Sequence, residues 1–275
     1  EHVRFGGVVP EIASRAHTSA VSLVVKEAIE AAGLDLNDID AVAVTYGAGL
    51  LGALLVGVSY AKSLAYALDK PLIAVSHIRG HLAAAYLSDK TLEPPFVSLL
   101  ASGGHTAVIV VESYNEFKIL GSTLDDAVGE ALDKVARVLG LNYPGGPNIE
   151  KLAREGKNNI EFPKMLKGVG GYNFSYSGLK TAVINYVHHA NQTGERVNEA
   201  DVACSFQHAA TDILVKKAIE AAKEYSLDTV TVGGGVAANG YMRENLGNAC
   251  AKCGLKLVLP EKILCTDNAA MIGAE

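Results

Sequence analysis

The sequence predicts an α/β fold in two lobes, with glycine loops at strand ends. Short apolar runs of strand character alternate with longer stretches of helical periodicity. The 275 residues correspond to two domains at about 150 residues each. Glycine supplies 28 of them, well above a usual share of about 7%, without the three-residue period of collagen.

The elements follow in order. Ser19–Ala32 has Val21, Val24, Val25, Ala28 and Ile29 at helical spacing, and Gly33 stops it. Residues 41–45 form a short apolar strand. The turn Tyr46-Gly-Ala-Gly49 and a helix from Leu51 to Leu68 follow. Pro71 opens a strand over 72–75, and Ser76 can cap a helix from His77 to Leu87. Thr91–Pro95 reads as a linker. Phe96–Ala101 and Thr106–Val111 make a hairpin with Ser102-Gly-Gly-His105 at its tip, and Phe117–Leu120 can add a third strand. A helix is expected over Asp125–Leu139, broken at Tyr143-Pro-Gly-Gly-Pro147 and resumed over Ile149–Glu155. Gly156–Ser177 is irregular and rich in Gly, Asn and Lys, as a surface insertion would be. Leu179–His189 and Ala200–Glu224 are helical. A strand over 229–232 leads into Gly233-Gly-Gly-Val-Ala-Ala-Asn239, then a helix over Tyr241–Cys253, a strand over 256–259 and a last helix over Asn268–Glu275.

Composition excludes several classes. Hydrophobic residues at 49% and charged residues at 20% rule out a disordered chain. Tryptophan is absent and aromatics are 6%, so the core is aliphatic. The longest apolar run, Ala48–Ala61, is shorter than the roughly 18 residues of a membrane span, and no membrane association is expected. No secretory leader is seen near Glu1. Both ends look cut, so part of the function is expected outside this stretch. Four cysteines are too few for a disulfide scaffold and fit a reducing, cytoplasmic setting. Cys250 and Cys253 lack a second ligand pair and read as two thiols at helical spacing. The net charge of −6 argues against indiscriminate nucleic-acid binding. Residues 150–185, with six basic and three acidic side chains, form a local exception that reads first as a solvated face.

Three features carry chemistry. Ser102-Gly103-Gly104 can present backbone N–H groups to a phosphate, and Gly233-Gly234-Gly235 places a helix N-terminus against an anion. Neither is a Walker loop or a dinucleotide fingerprint. His77 and His81 lie at i and i+4, a spacing suited to one metal, although the spacing alone fits two core or exposed histidines equally well. The pair does not read as a zincin protease, because Ile78 stands where the general-base glutamate would be. Asp267 is a candidate third ligand, although it could equally cap the last helix. Asp125 and Asp126 read as charges at a helix N-terminus. Asp133 could accept a ribose hydroxyl, but spacing favours an ion pair with Lys134 or Arg137. Ser102 and His105 are too close along one turn to form a catalytic triad.

These motifs, in this order, resemble one family. They are Gly6-Gly-Val-Val-Pro-Glu-Ile-Ala-Ser-Arg15, Gly52-Ala-Leu-Leu-Val-Gly57, His77-x3-His81, Ser102-Gly-Gly-His-Thr106, Asp125 to Lys134, Tyr143-Pro-Gly-Gly-Pro147, Phe174-Ser-Tyr-Ser-Gly-Leu-Lys180, Gly234-Gly-Val-Ala-Ala-Asn239 and Cys265-Thr-Asp-Asn268. The chain resembles the tRNA adenosine threonylcarbamoyltransferases, once described as O-sialoglycoprotein endopeptidases. The resemblance covers nearly the whole chain. It implies an actin-like ATPase domain of the sugar kinase and Hsp70 superfamily, two lobes around a nucleotide cleft. The lobes are expected over residues 1–93 with 261–275, and over 94–260 with an insertion at 156–178. It implies transfer of threonylcarbamoyl from threonylcarbamoyl-AMP to the exocyclic amine of the adenosine 3′ of the anticodon.

It further implies one iron or zinc per subunit on His77, His81 and Asp267. An adenine nucleotide, threonylcarbamoyl-AMP or ATP, is expected on Leu100, Ala101, Ser102, Gly103, Gly104, Asp133, Gly146 and Asn239. Glu150 stands where many relatives have Asp and reaches one methylene farther. No residue is assigned as the general base, and His105 is only a guess. Implied partners are tRNA, an inactive paralogue and a small ATPase. The insertion, through Lys164 and Lys167, is the expected tRNA contact. The apolar Leu50–Val58 stretch reads as core before it reads as a paralogue interface. Two departures stand out. The strand and acidic phosphate loop that usually precede the Gly6 motif are missing, and Ala48 replaces the proline of a Gly-Pro-Gly turn. The alternatives are a superfamily kinase, which has no use for the histidine pair, and an inactive scaffold, which would be expected to lose it.

Overall fold

The computed structural model describes residues 9–166 and 170–275. The first residues of the Gly6–Arg15 motif and Lys167 lie outside them. The chain forms two compact units: one runs to Ala83 and resumes over Asn268–Glu275, and the other spans Ala84–Asp267.

The first unit opens with α1 (Pro10–Ala32). The helix begins at Pro10 rather than Ser19, because proline at the first helical position is already set for helix and its missing N–H costs nothing. Glu11 in the first turn favours the helix dipole, and Gly33 at φ 67° ends the helix. β1 (Val42–Gly47) and β2 (Leu72–Ser76) pair in parallel, with Val42 opposite Leu72 and Val44 opposite Ala74. Their crossover is α2 (Leu51–Leu68). By length and composition alone α2 is apolar enough to cross a membrane. The sequence expectation counted only the uninterrupted apolar run, whereas the helix continues through Lys62 to Leu68. β2 leads directly into α3 (His77–Ser88), within which the first unit gives way to the second. The last helix, α10 (Ala269–Ala274), also belongs to the first unit.

The second unit is built on a five-stranded sheet of β3 (Phe96–Ala101), β4 (Thr106–Val111), β5 (Phe117–Ser122), β6 (Thr229–Gly233) and β7 (Lys256–Val258). The strand order is β5-β4-β3-β6-β7. β3, β4 and β5 form an antiparallel meander, and β6 and β7 add in parallel beside β3. Every residue of β3, β4 and β6 is buried; β3 and β4 accordingly read as mostly apolar runs, whereas β6 alternates Thr and Val. The helices are α4 (Val128–Val138), α5 (Gly145–Ala153), α6 (Ser177–Thr193), α7 (Glu199–Glu224), α8 (Gly240–Cys253) and α9 (Lys262–Cys265). α7 is the core helix, with Phe206, Ala210, Leu214 and Ala218 fully buried. Asn198 caps it through the N–H groups of Ala200 and Asp201.

Two sequence expectations change here. α4 starts at Val128, not Asp125, so neither Asp125 nor Asp126 lies in its first turn. Asp125 instead accepts from the backbone N–H of Tyr176 at 2.7 Å and of Ser177 at 3.2 Å, at the start of α6. Asp126 accepts from Lys134 and Lys180. Both carboxylates are used across the fold because Asp125, Asp126 and the 174–180 segment meet beside the isolated bridge Thr123–Phe174.

The segment before α6 is held by a buried lysine. Lys217 Nζ donates to Gly171 O at 2.8 Å and Asn173 O at 2.6 Å, and lies 5.2 Å from the Phe174 ring centre. Burial lowers the pKa of this ammonium. Lys217→Met removes both charged donors and leaves two carbonyls to find new partners. We expect a stability loss of about 1–3 kcal/mol, read from denaturant midpoints, with faster amide exchange confined mainly to residues 170–174.

Candidate functional site

The β3–β4 hairpin tip is a closed turn. Ser102 N–H donates to His105 O at 2.8 Å, and His105 N–H donates to Ser102 Oγ at 2.9 Å. The Ser102 hydroxyl therefore belongs to the turn, which agrees with the absence of a triad. Gly103 and Gly104 stay exposed at the tip. The start of α4 closes against this turn: Gly129 N–H donates to Ser102 O at 3.2 Å, and Val128 N–H to Thr106 Oγ1 at 2.9 Å. A Cβ on Gly129 would lie 2.7 Å from Ser102 O and 2.8 Å from Gly103 Cα. Only glycine permits that approach.

The second glycine loop differs from expectation. Gly234 holds φ 92°, and a Cβ there would meet Ala101 O at 2.4 Å. A short 3-10 turn over Gly235–Ala238 then intervenes before α8. Asn239 caps α8, its Oδ1 accepting from Met242 N–H at 2.9 Å, and its Nδ2 donates to Gln207 Oε1 at 3.0 Å. The N-terminus of α8 is thus satisfied by its own cap. The loop faces the cavity through Gly235 and Val236 instead.

Asp133 also differs. Lys134 is taken by Asp126 at 2.7 Å and Glu130 at 2.9 Å. Asp133 Oδ1 accepts from Gly145 N–H at 2.7 Å, with Gly146 N–H as a second donor. One carboxylate thereby fixes the start of α5. Burial pushes its pKa up, against the pull of those two donors. Glu150, on α5, accepts from Arg154 at 2.6 Å and from Gly240 N–H at 3.2 Å.

These pieces enclose a cavity of about 680 Å³ in the second unit, within the usual range for a small-molecule site. Ser102, Gly103, Asp133, Gly146, Glu150, Asn239 and Asp267 all line it. Leu100 and Ala101 do not, since their side chains are buried at the end of β3, and Gly104 lies outside the wall. The sequence did not single out Gly129, Tyr143 or Lys262 as site residues, yet each lines the cavity. Tyr143 carried a signal in its Pro-Gly-Gly-Pro context; an isolated lysine carried none.

His77 and His81 lie on the first turns of α3, with ring centres 4.6 Å apart and ring planes at 73°. Asp267 precedes Asn268, and Asn268 caps α10 by accepting from Met271 N–H at 2.9 Å. The capping alternative for Asp267 is thereby removed. α10 packs directly on α3, where a Cβ on Gly80 would meet Ile272 Cδ1 at 2.6 Å. One ligand-type atom from each of His77, His81 and Asp267 lies within 4.8 Å of the others. Two imidazoles and one carboxylate form a donor set that suits zinc or iron, and three protein ligands leave positions open.

The profile of a family described as tRNA N6-adenosine threonylcarbamoyltransferase matches residues 1–274. A protein of that name from Clostridium perfringens (strain SM101 / Type A) is 55% identical over 274 residues, 99% of this chain and 81% of that one. One from Moorella thermoacetica is 58% identical over 273 residues, 99% of this chain and 80% of that one. Among solved structures, full-length HypF in a phosphate- and nucleotide-bound form matches with a TM-score of 0.65 at 16% identity, over 86% of this chain and 46% of that one. HypF of T. kodakarensis matches with a TM-score of 0.62 at 18% identity, over 80% of this chain and 38% of that one. At those identities the likeness is one of fold.

The Asp126 cluster beside this site sets an acid limit on stability. Burial raises the Asp126 pKa, but the hydrogen bonds from Lys134 and Lys180 outweigh it and leave a net lowering. A depressed carboxylate stabilises the fold above its unfolded pKa of about 3.9, and that contribution is lost as pH falls through the folded value. Asp126→Asn should cost about 1–2 kcal/mol at neutral pH and flatten the loss of stability below about pH 4, as measured by thermal melts across pH.

Proposed function

The chain belongs to the tRNA N6-adenosine threonylcarbamoyltransferase family, and from that premise we propose how its residues divide the work. The cavity receives the acyl-adenylate donor, threonylcarbamoyl-AMP. The acceptor is the N6 amine of the adenosine 3′ of the anticodon. A C–N bond forms between that amine and the carbamoyl carbon, the mixed-anhydride C–O bond breaks, and AMP leaves.

The observation that carries this reading is one cavity joining the Ser102–Gly103 turn, Asp133, Gly146, Glu150, Asn239 and Asp267. The exposed Gly103 on that wall would offer its backbone N–H to a phosphate oxygen, as preorganised donors do for developing charge. Asp133 and Glu150 face the adenosine side. His77, His81 and Asp267 would hold one divalent iron or zinc. When bound, such an ion supplies Lewis-acid polarisation of a carbamoyl or phosphate oxygen. The residue types fit it, and a small-molecule kinase has no use for them. The insertion offers Lys164, which is exposed, to the tRNA backbone. An inactive paralogue and a small ATPase are the further partners the resemblance implies.

Elemental analysis of the purified protein should find about one iron or zinc per chain, lost in a His77→Ala/His81→Ala double variant. The same variant should lose threonylcarbamoyl transfer to tRNA. Metal retained in the variant would sink the ligand assignment. Lys164→Glu should weaken tRNA binding and lower the slope of log affinity against log salt by about one. An unchanged slope would remove Lys164 from the tRNA surface.

A further inference from the structure

We propose that Lys262 is a donor-positioning residue, the cation that receives an anionic group of the threonylcarbamoyl donor in the cavity. The inference rests on the transferase reading above.

The charge of the cavity wall is lopsided. It carries the carboxylates Asp133, Glu150 and Asp267, and Lys262 is the one lysine or arginine among its described lining residues. Two of those carboxylates are already engaged by donors on their own side of the wall: Asp133 by Gly145 N–H, and Glu150 by Arg154 and Gly240 N–H. No carboxylate among the described residues pairs with Lys262. The side chain is exposed, so its charge is available to a ligand.

The backbone beneath it is fixed. Arg243 Nη1 donates to Ala237 O and Pro260 O, each at 3.0 Å. Glu261 N–H donates to Ser88 Oγ at 3.3 Å, and Cys265 is fully buried. Lys262 therefore leaves a pinned segment, five positions ahead of Asp267 in the same stretch of chain. A flexible ammonium on a rigid base suits a ligand that must enter and leave.

The ligand must bring negative charge. The threonylcarbamoyl group carries the threonine carboxylate, and an acyl-adenylate adds a phosphate. Lys262 is the one lysine or arginine on the described wall that either anion can meet. The shared chemistry is an anionic oxygen on the donor, and its two sources are separable by fragment.

The test is calorimetric titration of the full chain, metal-loaded, with adenosine, AMP and N-carbamoyl-threonine, in the wild type, Lys262→Ala and Lys262→Arg. Lys262→Ala should weaken one anionic fragment by about tenfold or more and leave adenosine and metal content unchanged. Selective loss of AMP identifies the phosphate; selective loss of N-carbamoyl-threonine identifies the carboxylate. Lys262→Arg should restore most of the affinity, and the KM for the donor should rise in Lys262→Ala with kcat kept. Equal affinities in wild type and Lys262→Ala for both anions would overturn the proposal, as would a parallel loss of adenosine, which marks a structural role. A wild type that transfers threonylcarbamoyl while Lys262→Ala binds every fragment normally removes Lys262 alone. A wild type that neither binds the fragments nor transfers removes the functional reading beneath it.

Discussion

The cavity depends on how closely the first turn of α4 sits against the tip of the β3–β4 hairpin. Gly129 N–H donates to Ser102 O there, and the approach is possible because Gly129 carries no Cβ. Its consequences run outward. With α4 seated, Asp133 comes one turn later to the place where it receives the N–H groups of Gly145 and Gly146. α5 then starts where Asp133 holds it, and Glu150 reaches the N-terminus of α8. A chain of short polar contacts thus sets one wall of the cavity from a single close approach.

Charge is handled differently inside and beside the cavity. Asp126 is neutralised by two lysines and behaves as a structural ion cluster. Asp133 is held by neutral N–H donors, and burial raises its pKa. A carboxylate without a full countercharge is costly to bury, and such groups concentrate where a ligand completes them. Asp267 follows the same logic from the other direction. Its neighbour Asn268 does the capping, which leaves the carboxylate beside His77 and His81.

The buried scaffold explains why this arrangement holds. β3, β4 and β6 are buried throughout, and α7 adds Phe206 and Leu214 to the same core, whose largest fully buried side chains, Tyr176, Phe96, Phe174 and Phe206, are aromatic rather than the aliphatic ones the composition predicts. The glycine loops leave the ends of β3 and β6, adjacent parallel strands with Leu100 opposite Gly233. Loops mounted on neighbouring strand ends converge without long connections, the same logic that places ligands at strand ends in open α/β sheets.

By itself the sequence determined the strands, most helix spans and the two glycine loops, because apolar periodicity and glycine act locally. It also supplied the spacing of His77 and His81, since i and i+4 share a face in any α-helix. Tertiary structure decided the rest. Pro10, not the apolar period that starts near Ser19, begins α1. Asp267 and Asn268 are adjacent and both able to cap, and only the structure shows that Asn268 does so. Asp133 had Lys134 and Arg137 as charged neighbours in sequence, yet Asp126, which precedes α4, claimed Lys134, and Asp133 took the backbone N–H groups of α5 while Arg137 acts on it through its charge. Lys262 had no local signature at all. What its ammonium faces is set by Arg243 and Ser88 pinning the segment from elsewhere in the chain, and contacts of that kind leave no period or motif to read.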